Sequence, residues 1–251
     1  MKKYCPQITV YAFDKKKKIL KSALKEKNID GYFTQSSLEC FDVDLIIFAL
    51  PIYTIEKVFD MFSPYIKPNT LITDVGSTKL RLEKFFLQRK VKYIGSHPLA
   101  GSEKSGYKYS SPELLRNRIC LIIPNKYSKK ESNLLKNFWK KLKMRVEIVT
   151  AEKHDKMLAI TSHFIHLIAF AYTYFLKTHK ITQTKNFAGP SFNEFTRIAR
   201  SNPYIWTDIL LDNKKELINI YKNFSNSLEK FINILLSGDN KKILKILKQL
   251  K

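Results

Sequence analysis

The 251-residue sequence is short of acid: 22 Asp and Glu stand against 45 Lys and Arg, a formal net charge of +23. Such an excess would suit a polyanion, because Lys and Arg that neutralise phosphates drive non-specific nucleic-acid binding. The lysines are strewn through every segment, at 15–18, 140–143, 214–215 and 241–242 among others, on the polar faces of expected helices and with no nucleic-acid-binding motif. No nucleic-acid partner is expected. Cysteine is scarce too. Cys5, Cys40 and Cys120 are odd in number, far apart and without metal-ligand spacing, which excludes a disulfide framework and predicts reduced thiols in a cytoplasmic protein with no metal site. The N-terminus lacks the apolar stretch of a signal peptide. One uncharged stretch, residues 159–176, only just reaches spanning length and contains Ser162, His163, His166, Tyr172 and Tyr174. It reads as a buried helix at a subunit interface rather than a membrane span. Of only seven glycines, three fall at 95, 101 and 106, within one segment.

That segment, residues 94–106, sets His97, Ser102, Glu103, Lys104 and Ser105 among glycines after a short apolar strand at 91–94, as in an active-site loop on a rigid scaffold. A surface turn with a capping histidine is the plainer alternative. Around it the first half alternates strand-like and helix-like stretches: strands at 8–13, 45–50, 70–75, 119–123 and 146–149, helices at 15–27, 54–62, 80–88 and 131–142. Short parallel strands separated by helices predict a doubly wound α/β sheet whose ligand crevice lies at the carboxyl ends of the strands. After residue 150 the pattern turns all-helical, at 151–176, 192–199, 205–231 and 241–250, with breaks at 189–190, 201–203 and 237–239. Two domains are expected, 1–150 and 151–251.

Several residues sit where such a crevice would be. Asp14 closes the first strand, where a nucleotide-binding sheet places an acid for the ribose hydroxyls, though strand-end aspartates also serve turns. Leu50 and Pro51 end the second strand; Asp74, Gly76 and Ser77 end the third, with Gly76 allowing close backbone approach and Ser77 open to capping, to ligand contact or to both. Ser162 and His166, four apart, share one helix face, and a buried histidine satisfied by its own helix is the bland reading. Arg197 follows two phenylalanines on a helix and needs an anion: Glu194 within the chain, or a substrate carboxylate gripped bidentately.

Taken in order, Asp74-Val-Gly-Ser77 with Lys79, His97-Pro-Leu-Ala-Gly-Ser-Glu-Lys-Ser-Gly106, Glu152-Lys-His-Asp155, Ser162-His-Phe-Ile-His166 and Phe195-Thr-Arg-Ile-Ala199 with Trp206 downstream resemble the motifs of the prephenate dehydrogenase family. The resemblance covers nearly the whole chain. It implies a Rossmann-like domain, incomplete at its N-terminus, followed by an all-α dimerisation domain, and NAD-dependent oxidative decarboxylation of prephenate to 4-hydroxyphenylpyruvate in tyrosine biosynthesis. It implies that His97 draws the hydroxyl proton, with Ser77 bridging histidine, hydroxyl and nicotinamide. Arg197 would hold a substrate carboxylate, His166, Ser102, Glu103, Ser162 and Trp206 would shape the pocket, and Asp14, Leu50, Pro51, Asp74 and Gly76 would contact NAD. A homodimer formed through the helical half would complete each site. Arogenate is the alternative substrate, and an inactive fragment that only dimerises is the alternative role.

Two departures from the family pattern stand out. Glu194 occupies the place where relatives carry Asp, which lengthens any ion pair with Arg197. The family's opening strand and Gly-x-Gly-x-x-Gly turn have no counterpart in residues 1–251. The expectation drawn is that Met1 is an internal methionine of a longer frame, and that the strand after Ile8 has no inner neighbour.

Overall fold

The computed structural model describes residues 1–34, 42–101, 106–181 and 186–250. They form two compact units, one of Met1–Asp155 with Arg200–Asp212, the other of Lys156–Ala199 with Asn213–Lys251.

The first unit is an α/β sheet with helices, as the alternating pattern predicts. Strand β1 (Tyr11–Ala12) leads through helix α1 (Lys17–Lys25) to β2 (Gly31–Tyr32), its parallel partner. Strand β3 (Leu45–Phe48), helix α2 (Ile52–Phe62), β4 (Leu71–Asp74), helix α3 (Leu80–Gln88) and β5 (Ile94–Pro98) follow. Next come β6 (Ile119–Pro124), helix α4 (Ser132–Lys141) and β7 (Arg145–Ile148). β3 pairs in parallel with β4, a parallel bridge from Ile72 to Tyr93 carries the sheet on to β5, and β6 pairs in parallel with β7. β1 pairs with β2 alone among the described strands.

Two differences from the expected strands matter for the site. β5 runs antiparallel to β6, so the sheet is not parallel throughout. β5 also extends through Pro98 rather than stopping at 94, which puts His97 on a strand and not in the loop after it. Polar residues there masked the strand, yet Ser96 is fully buried because its hydroxyl bonds to Thr73 Oγ1 at 2.7 Å and accepts Trp139 Nε1–H at 3.0 Å. A buried polar group so satisfied costs little.

Strand alternation divides the apolar residues between two faces. Leu71, Ile94 and Ile122 pack with Leu135, Phe138 and Trp139 of α4 on one side. Ile72 and Tyr93, their immediate neighbours in sequence, pack with Ile52, Ile55 and Phe59 of α2 and Leu82 and Phe86 of α3 on the other. Each such side chain, fully buried, stabilises by about 1.5–3 kcal/mol. Cys5 and Cys120 are buried free thiols, with burial pushing Cys120 up to about 12; Cys40 lies outside the described residues.

Helix α5 (Ala151–Leu158), a π-helical turn (Ala159–His163) and helix α6 (Phe164–Thr178) replace the single helix expected at 151–176. The stretch Ala151–Thr178 is long and apolar enough to cross a membrane by length and composition, and 28% of its most apolar window is buried. The expected burial is therefore not provided within the chain: Ile160, Ile165, Tyr172, Tyr174 and Phe175 are exposed. Helix α7 (Pro190–Ile198) packs on α6 through Tyr172 with Phe192 and Phe195. The helix expected at 205–231 is two, α8 (Pro203–Asp212) and α9 (Lys214–Leu236), separated at Asn213, whose side chain bonds to the buried His163 Nδ1 at 3.0 Å. α8 belongs to the first unit. Helix α10 (Asn240–Gln249) ends the chain, capped by Asp239, whose Oδ1 accepts Lys242 N–H at 3.0 Å.

Candidate active site

The turn after β4 is braced from below by a buried carboxylate. Asp74, fully buried, accepts Gly76 N–H at 2.7 Å and Lys79 Nζ on Oδ2, and Tyr93 O–H at 2.7 Å on Oδ1. Lys79 is 1% exposed. Its aliphatic stem passes over Gly95, where an added Cβ would lie 2.9 Å from Lys79 Cδ and 3.0 Å from Tyr93 Oη, so only glycine fits β5 there. Burial, with the Asp74 carboxylate adding to it, holds the Tyr93 phenol well above its usual range and keeps it a donor. Asp74, expected to contact the cofactor, makes these hydrogen bonds within the chain and shapes the turn.

The same turn presents Ser77, half-buried and making no hydrogen bond to another described residue. Capping of α3 falls elsewhere. Asp155 takes Lys79 N–H at 2.9 Å and Leu80 N–H at 3.0 Å, satisfying two amides at the helix N-terminus. Thr78 donates to Asp212 Oδ2 at 2.7 Å, and Asp212 also lies 3.5 Å from Arg81 Nη1, tying the end of α8 to this turn. Trp206, half-buried, sits on α8.

His97, half-buried near the end of β5, points by strand alternation to the face of Tyr93, Gly95 and Lys79. Its Nδ1 lies 2.8 Å from Nε2 of His154, whose Nδ1 lies 2.7 Å from Asp155 Oδ1. The hydrogen bonds therefore run unbroken from His97 to the amide of Lys79, two residues past Ser77. In the sequence, Glu152-Lys-His-Asp155 stands out as a motif without a role. The adjacency of His and Asp at the start of a helix was the available signal.

Asp14 is exposed at the carboxyl end of β1, where its Oδ1 accepts Lys16 N–H at 2.7 Å in a local turn. Leu50 packs on the α2–α3 side of the sheet, and Pro51 is exposed at the N-terminus of α2. Ser102 and Glu103 lie outside the described residues. Among the described residues no three His, Cys, Asp or Glu side chains gather as a metal site.

In the helical unit, His166 Nδ1 donates to the Ser162 carbonyl at 3.0 Å, the in-helix partner that the spacing of four allows. Burial depresses the His166 pKa, opposed by that carbonyl. The π turn just before it is a frequent marker of functional sites in long helices. Arg197 holds Glu194 Oε2 with both Nε (3.2 Å) and Nη2 (3.1 Å).

Residues 1–148 match the model of the prephenate dehydrogenase nucleotide-binding domain, and residues 150–249 that of its dimerization domain. The chain belongs to the prephenate dehydrogenase family. It is 27% identical over 255 residues to the cyclohexadienyl dehydrogenase of Zymomonas mobilis, covering 99% of this chain and 87% of that one. It is 33% identical over 197 residues to the prephenate dehydrogenase of Lactococcus lactis, covering 75% of this chain and 53% of that one; the chain thus spans about half the length of that relative. The prephenate dehydrogenase of Aquifex aeolicus, solved with hydroxyphenyl propionate and NAD+, superposes with a TM-score of 0.91 at 27% identity, covering 99% of this chain and 90% of that one. Family membership makes the chain a dehydrogenase-type oxidoreductase of the prephenate, arogenate and cyclohexadienyl group.

Proposed function

We propose that the protein oxidatively decarboxylates prephenate to 4-hydroxyphenylpyruvate with NAD+, as a cytoplasmic enzyme of tyrosine biosynthesis. The observation that carries this reading is His97, anchored through His154 and Asp155 on the strand leading out of the sheet, in a chain of this family. Asp14 fits the adenosine ribose as an exposed acid at a strand end, and the Leu50–Pro51 and Gly76–Ser77 turns fit the nicotinamide end. Glycine at 76 is demanded by the turn itself, since an added Cβ would meet Asp74 Oδ2 at 2.9 Å. A glycine-rich turn for the pyrophosphate is not among residues 1–251.

Bound NAD+ supplies the hydride acceptor. His97 takes the proton of the ring hydroxyl as positive character develops at its carbon, and loss of the ring carboxylate as CO₂ is driven by aromatisation. The Ser77 hydroxyl orients the substrate hydroxyl. Arg197 grips a substrate carboxylate in exchange for Glu194, with His166, Ser162, Trp206, Ser102 and Glu103 shaping the pocket. The exposed apolar side chains of α6 and α9, among them Tyr174 and Leu236, are covered by a second copy of the chain, giving a homodimer.

The test is NADH formation by the purified chain with prephenate and, in parallel, with arogenate. Turnover of prephenate with release of 4-hydroxyphenylpyruvate is expected. Preference for arogenate would reassign the substrate, and failure to bind NAD+ or turn over either compound would leave only dimerisation.

A further inference from the structure

The hydrogen bonds around His97 do more than hold a ring in place, because each one dictates where the next proton sits. Asp155, 5% exposed, already accepts two backbone N–H groups, and as a carboxylate it can only accept. His154, whose side chain is fully buried, must therefore carry its proton on Nδ1, facing Asp155 Oδ1 at 2.7 Å. In the neutral ring this leaves Nε2 of His154 as an acceptor. Nδ1 of His97, 2.8 Å away, must then be the donor, and the basic lone pair of His97 is confined to Nε2.

We propose that His154 and Asp155 are positioning residues that lock His97 into the Nδ1–H tautomer and receive its charge during the reaction. The inference rests on the assignment of His97 as the base. When the substrate O–H bond breaks, its proton forms a new bond to His97 Nε2, while the hydride leaves for NAD+. The imidazolium so formed donates through Nδ1–H to His154. Transfer of that proton to His154 Nε2 leaves His97 neutral and places the cation on His154, directly against the Asp155 carboxylate. No further reactant is needed.

The geometry also couples the base to the cofactor-side turn. Asp155 bonds to the amides of Lys79 and Leu80, and Lys79 is fixed to Asp74 beneath Gly76 and Ser77. One carboxylate thus sets both the tautomer of His97 and the first turn of α3. A further charged group near it is Glu83 of α3, which also faces Glu152 of α5.

Two measurements on the full chain test this. The first is ¹⁵N NMR of the ring nitrogens with labelled histidine, needing no substrate; the five histidines are assigned by single His→Gln substitutions. His97 is expected with Nδ1 protonated and Nε2 unprotonated. The second compares Asp155→Asn with His154→Gln. An Asn amide turned toward His154 reverses both tautomers, so kcat should fall on the order of 10²–10⁴-fold, with KM and NAD+ affinity retained. In His154→Gln the side-chain carbonyl still accepts from His97 Nδ1–H, so that tautomer persists and kcat falls less. An Nε2–H His97 in the wild-type protein, or an Asp155→Asn variant with unchanged tautomer and kcat, overturns the proposal. The wild-type spectrum stands even where Asp155→Asn does not fold. Failure of His97 as the base would appear separately, as turnover surviving its replacement.

Discussion

The Asp74–Lys79 pair of the first unit is at most 1% exposed, with the carboxylate also accepting Gly76 N–H and Tyr93 O–H, whereas in the helical unit Arg197 and Glu194 lie 42% and 72% exposed. The two pairs have the same chemistry and opposite consequences. A buried pair cannot lose one member without stranding the other charge in a low-dielectric interior, at a cost of about 3–5 kcal/mol. An exposed pair contributes about 0–1 kcal/mol and can be broken with little loss. The first unit is thus built to keep its polar groups where they are, while the helical unit keeps a guanidinium that can change partners. Apolar side chains divide the same way. The sheet buries its hydrophobic residues on both faces, while the helical unit leaves Leu236 78% exposed.

The largest expected effect falls on the fixed side of this contrast. His97→Asn should lower turnover by about 10²–10⁴-fold while sparing NAD+ affinity, because a positioned base is lost and the turns after β3 and β4 are untouched; turnover near the wild-type level would remove His97 as the base. Next is the buried pair. Lys79→Met should cost about 3–5 kcal/mol in urea unfolding, against about 1 kcal/mol or less for Arg197→Met. Equal losses in the two variants would erase the distinction between fixed and exchangeable charge.

Much of this arrangement was legible in the sequence. The bounds of α3 follow directly from its apolar spacing, and β3 from the unbroken apolar run that a sheet covered on both faces requires. What escaped were polar residues acting as interior. Gly95, Ser96 and His97 read as loop because alternation of apolar and polar residues fails there, yet Ser96 is satisfied by Thr73 and Trp139 from two other elements, contacts that no local pattern encodes. The π turn escaped for a related reason: residues 151–176 keep helical apolar spacing, and one extra residue in a turn leaves that spacing nearly unchanged. Of the site, the motif positions were visible and the connections were not. His154 lies 57 residues from His97, and Asp155 lies 76 from Lys79. Long-range hydrogen bonds gave the Glu152-Lys-His-Asp155 motif its meaning.

The finest test of the contrast lies in Arg197→Lys, which keeps the charge and removes the fork. Arg197 now holds a single oxygen of Glu194 through two N–H groups, so it already uses the planar geometry that suits a carboxylate. An ammonium can replace it as the partner of an exposed Glu194 at almost no cost in stability, and the unfolding midpoint should not move. It cannot reproduce two parallel hydrogen bonds to a substrate carboxylate. KM for prephenate should therefore rise roughly tenfold or more, given about 1.5–3 kcal/mol for a hydrogen bond to a charged group, with kcat changed far less because the bond is made in both ground and transition states. Should KM stay put while the unfolding midpoint drops, Arg197 would belong with Lys79 as a structural cation held by its own chain, and the helical unit would no longer differ from the sheet in how it uses charge.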